Sequence, residues 1–269
     1  MEGADCVTKI LIVGENSYIG NAFEGYVLGK FSIEKVSSRE GVYKNADFAG
    51  ADCVLFCAGI AHRKAPDFLH FEVNCDLALE VAAAAKVNGV GQFVYLSSAA
   101  ALWPSNAYGK SKLKAEVELA KLRAENFIVT IVRPPMVYGF GCKGDFERLL
   151  GLARKMPIFP NIKNKRSMIY IENLNWFLVQ MIECRMGGVF FPQNERAVCT
   201  SDMVRAMGTC LGRKIWITRV FNPLVYMFLW VPVVRKLFGD LAAESSEFER
   251  VGEVGFEESV NKSLSRQTP

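Results

Sequence analysis

Apolar residues in the first half of the chain come in short unbroken runs, each followed by a stretch of helical period. Lys9–Val13 is the first run and stops at Gly14, with a helix-period stretch opening near Tyr18. Phe31–Val36 and Cys53–Ala58 follow, the latter closed by Gly59. A long helix is predicted from about Asp67 to Val87, ended by Gly89 in the left-handed conformation that glycine adopts without strain. Then come a strand at Phe93–Leu96, a helix from about Asn106 to Ala124 and a strand at Phe127–Val132.

Strands that are apolar on both faces and alternate with helices predict an α/β fold, a Rossmann-type doubly wound parallel sheet. Right-handed crossovers bring the strand C-terminal ends to one edge, where open α/β sheets bind ligands. Gly14, Gly59, Ser98 and Arg133 each follow such an end. After Pro134 the alternation breaks down. The expected division is a sheet domain over 1–138 and a smaller, loop-rich C-terminal lobe over 139–269. Residues near 172–191, a helix and then a strand at Val189–Phe191, are candidates to return to the sheet.

The longest apolar run, Leu224–Val234, is interrupted by Pro232 and followed by Arg235 and Lys236. A bilayer span needs about 20 residues, so no transmembrane segment is expected. The plainer expectation is a buried helix of the C-terminal lobe. The sharper one is a patch that rests on a membrane surface or a subunit partner.

Composition narrows the class. The chain has 269 residues, 51% hydrophobic and 22% charged, with a net charge of +4, ordinary values for a globular protein. That balance suits small anions and is too scattered for nucleic acid. The eight cysteines form no CxxC pair and the two histidines complete no zinc-ligand spacing, so no metal is expected. Thiols in apolar runs and the lack of a signal-type N-terminus point to a reducing, cytoplasmic location.

Gly14-Glu-Asn16-Ser17-Tyr18-Ile19-Gly20 lies where the first strand turns into a helix. Gly14 allows the tight turn and Gly20 close packing of helix on strand. The helix N-terminus between them offers free N–H groups to a pyrophosphate. The loop therefore reads as a dinucleotide site, NAD or NADP. Ser17 takes the middle position, where a negative φ would still allow approach and its hydroxyl could reach a phosphate. At the end of the second strand, Ser37-Ser38-Arg39 replace the acid expected for NAD, which tilts the choice toward a 2′-phosphate. A register shift would instead bring in Glu40. Asp47 and Phe48 are candidates for the adenine, or else belong to a surface loop.

Tyr108-Gly-Lys-Ser-Lys112 puts a phenol and an ammonium four residues apart on one helix face. A free tyrosine, with a pKa near ~10, is a poor base at neutral pH. Lowering it by roughly three units requires about 4 kcal/mol, which a lysine ammonium and an oxidised nicotinamide can supply in a partly dry cleft. Ser98, after the Phe93–Leu96 strand, is placed to hold the reacting oxygen against Tyr108.

These motifs, with VLFCAGIAH, FVYLSSA, AYGKSKLKAE, VRPPMVYGFG and RSMIYIENL, resemble the extended short-chain dehydrogenase/reductase family, in its nucleotide-sugar epimerase/dehydratase branch. The likeness is strongest to bacterial epimerases of surface-polysaccharide gene clusters. The resemblance implies that Cys57, Ala58, Gly59, Asn74 and Leu96 line the cofactor and that Pro134 and Met136 border the nicotinamide. It further implies that Arg166 clamps a substrate diphosphate, as a guanidinium suits, and that Ala99 and Asp145 lie on the substrate side. His62 is a candidate for the sugar pocket or an exposed loop residue. A homodimer through the helices near 67–88 and 106–124 would follow the family habit.

Three departures qualify the likeness. Ala99-Ala100 after Ser98 replace the Asp-Glu that dehydratases use to expel water, which argues against dehydration. Met136 cannot hydrogen-bond a diphosphate, and an ionised Asp145 would repel one. Only nine residues separate Ser98 from Tyr108, so the loop is short and the cleft either more open or impaired. The leading expectation is epimerisation of a nucleotide-activated hexose. The alternatives are NADPH-dependent reduction of a 4-keto nucleotide sugar and a non-catalytic dinucleotide-binding protein.

Overall fold

The computed structural model describes residues 7–39, 41, 43, 46–61, 65–240 and 249–265. The first half runs β1 (Lys9–Val13), α1 (Tyr18–Tyr26), β2 (Ser32–Val36), β3 (Cys53–Phe56), α2 (Asp67–Phe71), α3 (Leu77–Val87), β4 (Gln92–Leu96), α4 (Ala107–Ala120) and β5 (Ile128–Val132). It continues with β6 (Met136–Tyr138), α5 (Asp145–Lys155), β7 (Ile158–Pro160), β8 (Met168–Tyr170), α6 (Ile171–Glu183), β9 (Gly188–Phe190) and β10 (Pro192–Asn194). The last elements are α7 (Thr200–Cys210), β11 (Trp216–Thr218), α8 (Asn222–Met227), α9 (Pro232–Phe238), β12 (Glu249–Val251) and α10 (Phe256–Ser265).

Six strands form one sheet in the order β2-β1-β3-β4-β5-β9, every neighbouring pair parallel. The order reverses between β1 and β3, and such a switch point opens a crevice at the strand ends. Side chains alternate between two buried faces. Leu11, Val13, Val54, Phe56, Phe93 and Tyr95 join one core cluster with Ala78, Val81 and Ala82 of α3 and Ala115 and Leu119 of α4. Ile10, Ile12, Leu55 and Val94 are equally buried without belonging to that cluster, as the opposite face of a covered sheet requires. Burying each large apolar side chain stabilises by about 1.5–3 kcal/mol. The doubly wound parallel sheet expected from the apolar runs is thus observed.

The chain divides into two compact units, Met1–Pro135 with Asn175–Pro192, and Met136–Leu174 with Gln193–Pro269. The first holds the six-stranded sheet, which β9 joins from late in the chain. The second holds two parallel strand pairs, β6 with β8 and β7 with β11. Its core includes Tyr138, stacked on Phe146 at 5.3 Å between ring centroids and bonded through its hydroxyl to Ser259 Oγ at 2.6 Å.

Two local features differ from the pattern. Residues 67–87 are helical throughout, but Glu72–Asp76 between α2 and α3 form a π-helical turn. The extra residue of a π-turn shifts the helix face. The Leu224–Val234 run, expected as one buried helix, divides between α8 and α9, and α8 has no buried residue. Pro223 and Pro232 each sit in a first helical turn, where the fixed φ and missing N–H start a helix but cannot continue one. Among the described residues no helix is long and apolar enough to cross a membrane, and Cys53, Cys57, Cys75, Cys142, Cys184, Cys199 and Cys210 are free thiols.

Candidate active site

The glycine loop closes tightly under the ends of β1 and β2. Gly14 N–H and Glu15 N–H both donate to the Val36 carbonyl, at 3.0 and 3.2 Å, and Ser17 N–H donates to the Gly14 carbonyl at 2.8 Å. Gly14 has φ +114°, and a Cβ there would lie 2.8 Å from Ala58 N, so no other residue fits without displacing the loop after β3. Ser17 has φ −69° and caps α1, its hydroxyl accepting from Gly20 N–H at 3.3 Å. The Cys57 thiol lies near that hydroxyl, and burial pushes its pKa up to about 12. Gly20 is buried against Ile12.

A groove of about 730 Å³ opens on this loop. Gly14, Asn16, Ser17 and Tyr18 line one side, Ser37, Ser38 and Arg39 another, and Cys57, Ala58, Gly59 and Ile60 the floor after β3. The donor-rich helix start, the close glycine turn and the three polar residues at the β2 end fit an extended diphosphate-containing cofactor. Ile19 is not among the lining residues, Asp47 is exposed, and Phe48 is packed in the core cluster. Glu40 and His62 lie outside the described residues.

Asn74 sits in the π-turn and is completely buried. Its Oδ1 accepts from Ile60 N–H at 2.8 Å, and its Nδ2 donates to the Ile60 carbonyl and to Ser111 Oγ, both at 3.1 Å. Its amide therefore clamps the loop after β3 to the helix α4. His70 joins the same carbonyl through Nδ1 at 3.1 Å, and its ring meets Tyr108 edge-on at 6.2 Å.

The Tyr108/Lys112 pair is set by the start of α4. Asn106 caps it, accepting from Gly109 N–H at 2.9 Å, which places Tyr108 in the first turn. The Ser98 hydroxyl lies beside the Tyr108 phenol and accepts from Ala100 N–H at 3.2 Å. The short loop between them folds as a 3-10 turn, Ala99–Ala101, with Ala99 N–H donating to the Pro134 carbonyl at 2.9 Å. Gly109 permits this proximity, since a Cβ there would lie 2.6 Å from the Ala100 carbonyl oxygen. The trimmed loop thus still delivers Ser98 to Tyr108.

Lys112, one turn along, is buried. Its Nζ donates to the Leu96 carbonyl at 2.7 Å and lies 4.6 Å from the Tyr95 ring centroid. Burial lowers its pKa to about 7 and raises that of Tyr108, an effect the nearby Ser98 hydroxyl opposes. A further turn along, Glu116 is buried and takes Arg133 Nε on both oxygens at 2.8 and 2.9 Å, with Ser97 also bonded to it. This ion pair ties α4 to the ends of β4 and β5. The sequence pattern points to none of His70, Tyr95, Ser111 and Glu116, and to Arg133 only as a residue that follows a strand end. The one available signal was Glu116, which continues the Tyr108/Lys112 spacing by four.

In the second unit, Arg166, Asp145 and Met136 come together. Arg166 is 2% exposed. Its Nη1 donates to the Leu237 carbonyl at 3.0 Å, and its Nη2 lies 3.7 Å from Asp145 Oδ2 and 4.0 Å from Met136 Sδ. Asp145 therefore meets a guanidinium.

The chain is 28% identical to a UDP-glucose 4-epimerase of Vibrio cholerae, over 90% of this chain and 85% of that protein. It is 25% identical to an N-acetyl-alpha-D-glucosaminyl-diphospho-ditrans,octacis-undecaprenol 4-epimerase of Escherichia coli O157:H7, over 63% of this chain and 62% of that one. A UDP-N-acetylglucosamine 4-epimerase structure from Methanobrevibacter ruminantium shares the fold with TM-score 0.75 at 14% identity, covering 96% of this chain and 97% of that one. The NAD dependent epimerase/dehydratase family model matches residues 35–188, more than half of the chain. Both the motif resemblance and the parallel-sheet fold agree with that match, and the chain belongs to the NAD dependent epimerase/dehydratase family.

Proposed function

We propose that the protein is a nicotinamide-dependent epimerase of a nucleotide-activated hexose, inverting one carbinol through a transient ketone. The placement of the Ser98 hydroxyl beside the Tyr108 phenol, with Lys112 one turn along α4, is the observation that carries this reading. A bound nicotinamide dinucleotide supplies a hydride acceptor and donor at the carbinol carbon. Tyr108 takes the hydroxyl proton as the carbonyl forms and returns it when the carbinol reforms, while Ser98 holds the sugar oxygen. Burial favours the neutral phenol, so ionisation of Tyr108 depends on nearby positive charge, which Lys112 provides when protonated. Gly14 to Tyr18 hold the dinucleotide's diphosphate, and Ser37, Ser38 and Arg39 face its adenosine ribose.

Arg166 is the proposed recognition group for the substrate diphosphate, a role that requires it to loosen its 3.7 Å contact with Asp145. What carries the diphosphate differs between the relatives, uridine in the name of the Vibrio protein and a polyprenol in that of the Escherichia coli one. Ala99-Ala100 after Ser98 offer no acid to expel water, which argues against dehydration.

The same residues would serve net reduction of a 4-keto nucleotide sugar, and the polar end of β2 favours its reductant, NADPH. One experiment separates the two. Purified protein is incubated with UDP-glucose or UDP-N-acetylglucosamine and, separately, with NADPH and a 4-keto nucleotide sugar. Interconversion of epimers without added cofactor supports the epimerase, and stoichiometric loss of NADPH refutes it. Mass spectrometry of the released dinucleotide identifies NAD or NADP. Pairing of two copies through α2, α3 and α4, where Phe68 and Val117 are exposed, belongs to the same reading, and light scattering that finds a monomer rejects it.

A further inference from the structure

The second unit carries a cluster of exposed apolar side chains that its own fold leaves uncovered. Trp216, Val220, Phe221, Leu224, Met227 and Trp230 fall within fifteen residues, and Trp230 and Val220 are each 77% exposed. The cluster extends to the neighbouring strand, because Trp216 of β11 is paired with Ile158 of β7 and Ile158 is also exposed. Isolated exposed apolar residues are normal, but a contiguous set rich in tryptophan marks a surface that meets something.

Charge says what that something is. The chain as a whole is nearly balanced at +4, yet residues 203–239 contain no Asp or Glu, and neither do residues 148–171, which include β7. Among the described residues the exposed charges in these two segments are all basic, and they include Lys155 just before β7 and Arg213, Lys214, Arg219 and Arg235 around β11, α8 and α9. Lys214 Nζ lies 5.3 Å from the Trp216 ring centroid, so charge and aromatic surface are interleaved. A second copy docked on this patch would bring like charges together, with no acid among the described residues of either segment to offset them. Anionic lipid headgroups would neutralise them, while tryptophan and leucine enter the interfacial layer and the basic side chains extend outward to the phosphates.

We propose that the β11–α8 face is a membrane-docking surface for an anionic lipid bilayer. The test needs no turnover, so it stands or falls separately from the epimerase reading. Purified full-length protein is sedimented with sucrose-loaded vesicles of phosphatidylethanolamine containing about one-third phosphatidylglycerol. It co-sediments at low salt. Binding falls at least about fivefold on phosphatidylcholine vesicles or in about 0.5 M NaCl, where screening shortens to ~4 Å. Leu224→Ser with Trp230→Ser lowers binding by about tenfold or more, and Lys214→Glu with Arg219→Glu abolishes the preference for anionic lipid. All four side chains are exposed, and unchanged melting temperatures confirm folding. Failure of the wild-type protein to co-sediment overturns the proposal, as does binding unaffected by either pair of substitutions. So does a dimer that the Leu224/Trp230 pair dissociates while vesicles bind nothing, which would assign the patch to a second copy.

Discussion

Replacing Lys112 by methionine should trade activity for stability, and the trade should follow pH. In the folded dinucleotide-free protein the ammonium is buried and its pKa lies at about 7, against 10.5 for a free lysine. Between those two values the unfolded chain binds a proton that the folded chain does not. Stability therefore falls as pH drops through this window, by about 1.4 kcal/mol per pH unit, and levels off below about pH 7. At pH 7 the accumulated penalty is of the order of 4–5 kcal/mol, an upper figure for a fully buried group. Methionine keeps most of the apolar volume and does not titrate, but it loses the Nζ bond to the Leu96 carbonyl, at a cost of about 1–3 kcal/mol. The variant should thus be more stable than wild type by about 2 kcal/mol at pH 7 and lose that advantage by about pH 9. Urea midpoints at half-unit steps from pH 6 to 9.5 measure this, because the other titrations largely cancel in the difference. A difference independent of pH, or one that grows as pH rises, would falsify the buried-ammonium argument. Activity of the variant should be lost throughout.

Tyr108→Phe should lower epimer interconversion by at least about 10²-fold while leaving dinucleotide content unchanged, as expected when only a proton carrier is removed; retained turnover would favour a non-catalytic role for the pair. Gly109→Ala puts a Cβ 2.6 Å from the Ala100 carbonyl oxygen, so α4 must shift away from the Ser98 turn. A displacement near 1 Å costs about 10²-fold in turnover, and unaltered kinetics would refute the close-approach reading. Glu116→Leu leaves Arg133 unpaired and should destabilise by about 3–5 kcal/mol in thermal or urea unfolding. Adding Arg133→Leu should recover most of that loss, and a double variant as weak as the single would show that the pair is not coupled.

The first half of the fold was legible because its signal is local. Unbroken apolar runs such as Cys53–Phe56 and Gln92–Leu96 are what a strand covered on both faces needs, and the glycine loop follows directly from β1. The Tyr108/Lys112 spacing shows which side chains share a helix face, whatever surrounds them. The second half was less legible. Its three-residue strands carry no period, and the Leu224–Val234 run reads the same whether its side chains are buried or not.

What the sequence by itself determined is the parallel sheet, the glycine loop between β1 and α1, and the helix face shared by Tyr108 and Lys112, since each depends on neighbours in the chain. Only the tertiary structure decided what holds that helix in place. The π-turn carries Asn74 to the carbonyl that His70 of α2 also meets, Gly109 lets α4 close on the Ser98 turn, and Arg133 reaches Glu116 from the end of β5. It also decided that Phe48 goes to the core and that Arg166 meets Asp145. These contacts join residues distant in sequence, and their energies come from burial and hydrogen-bond geometry, which no residue type or spacing encodes until the sheet has brought the partners together.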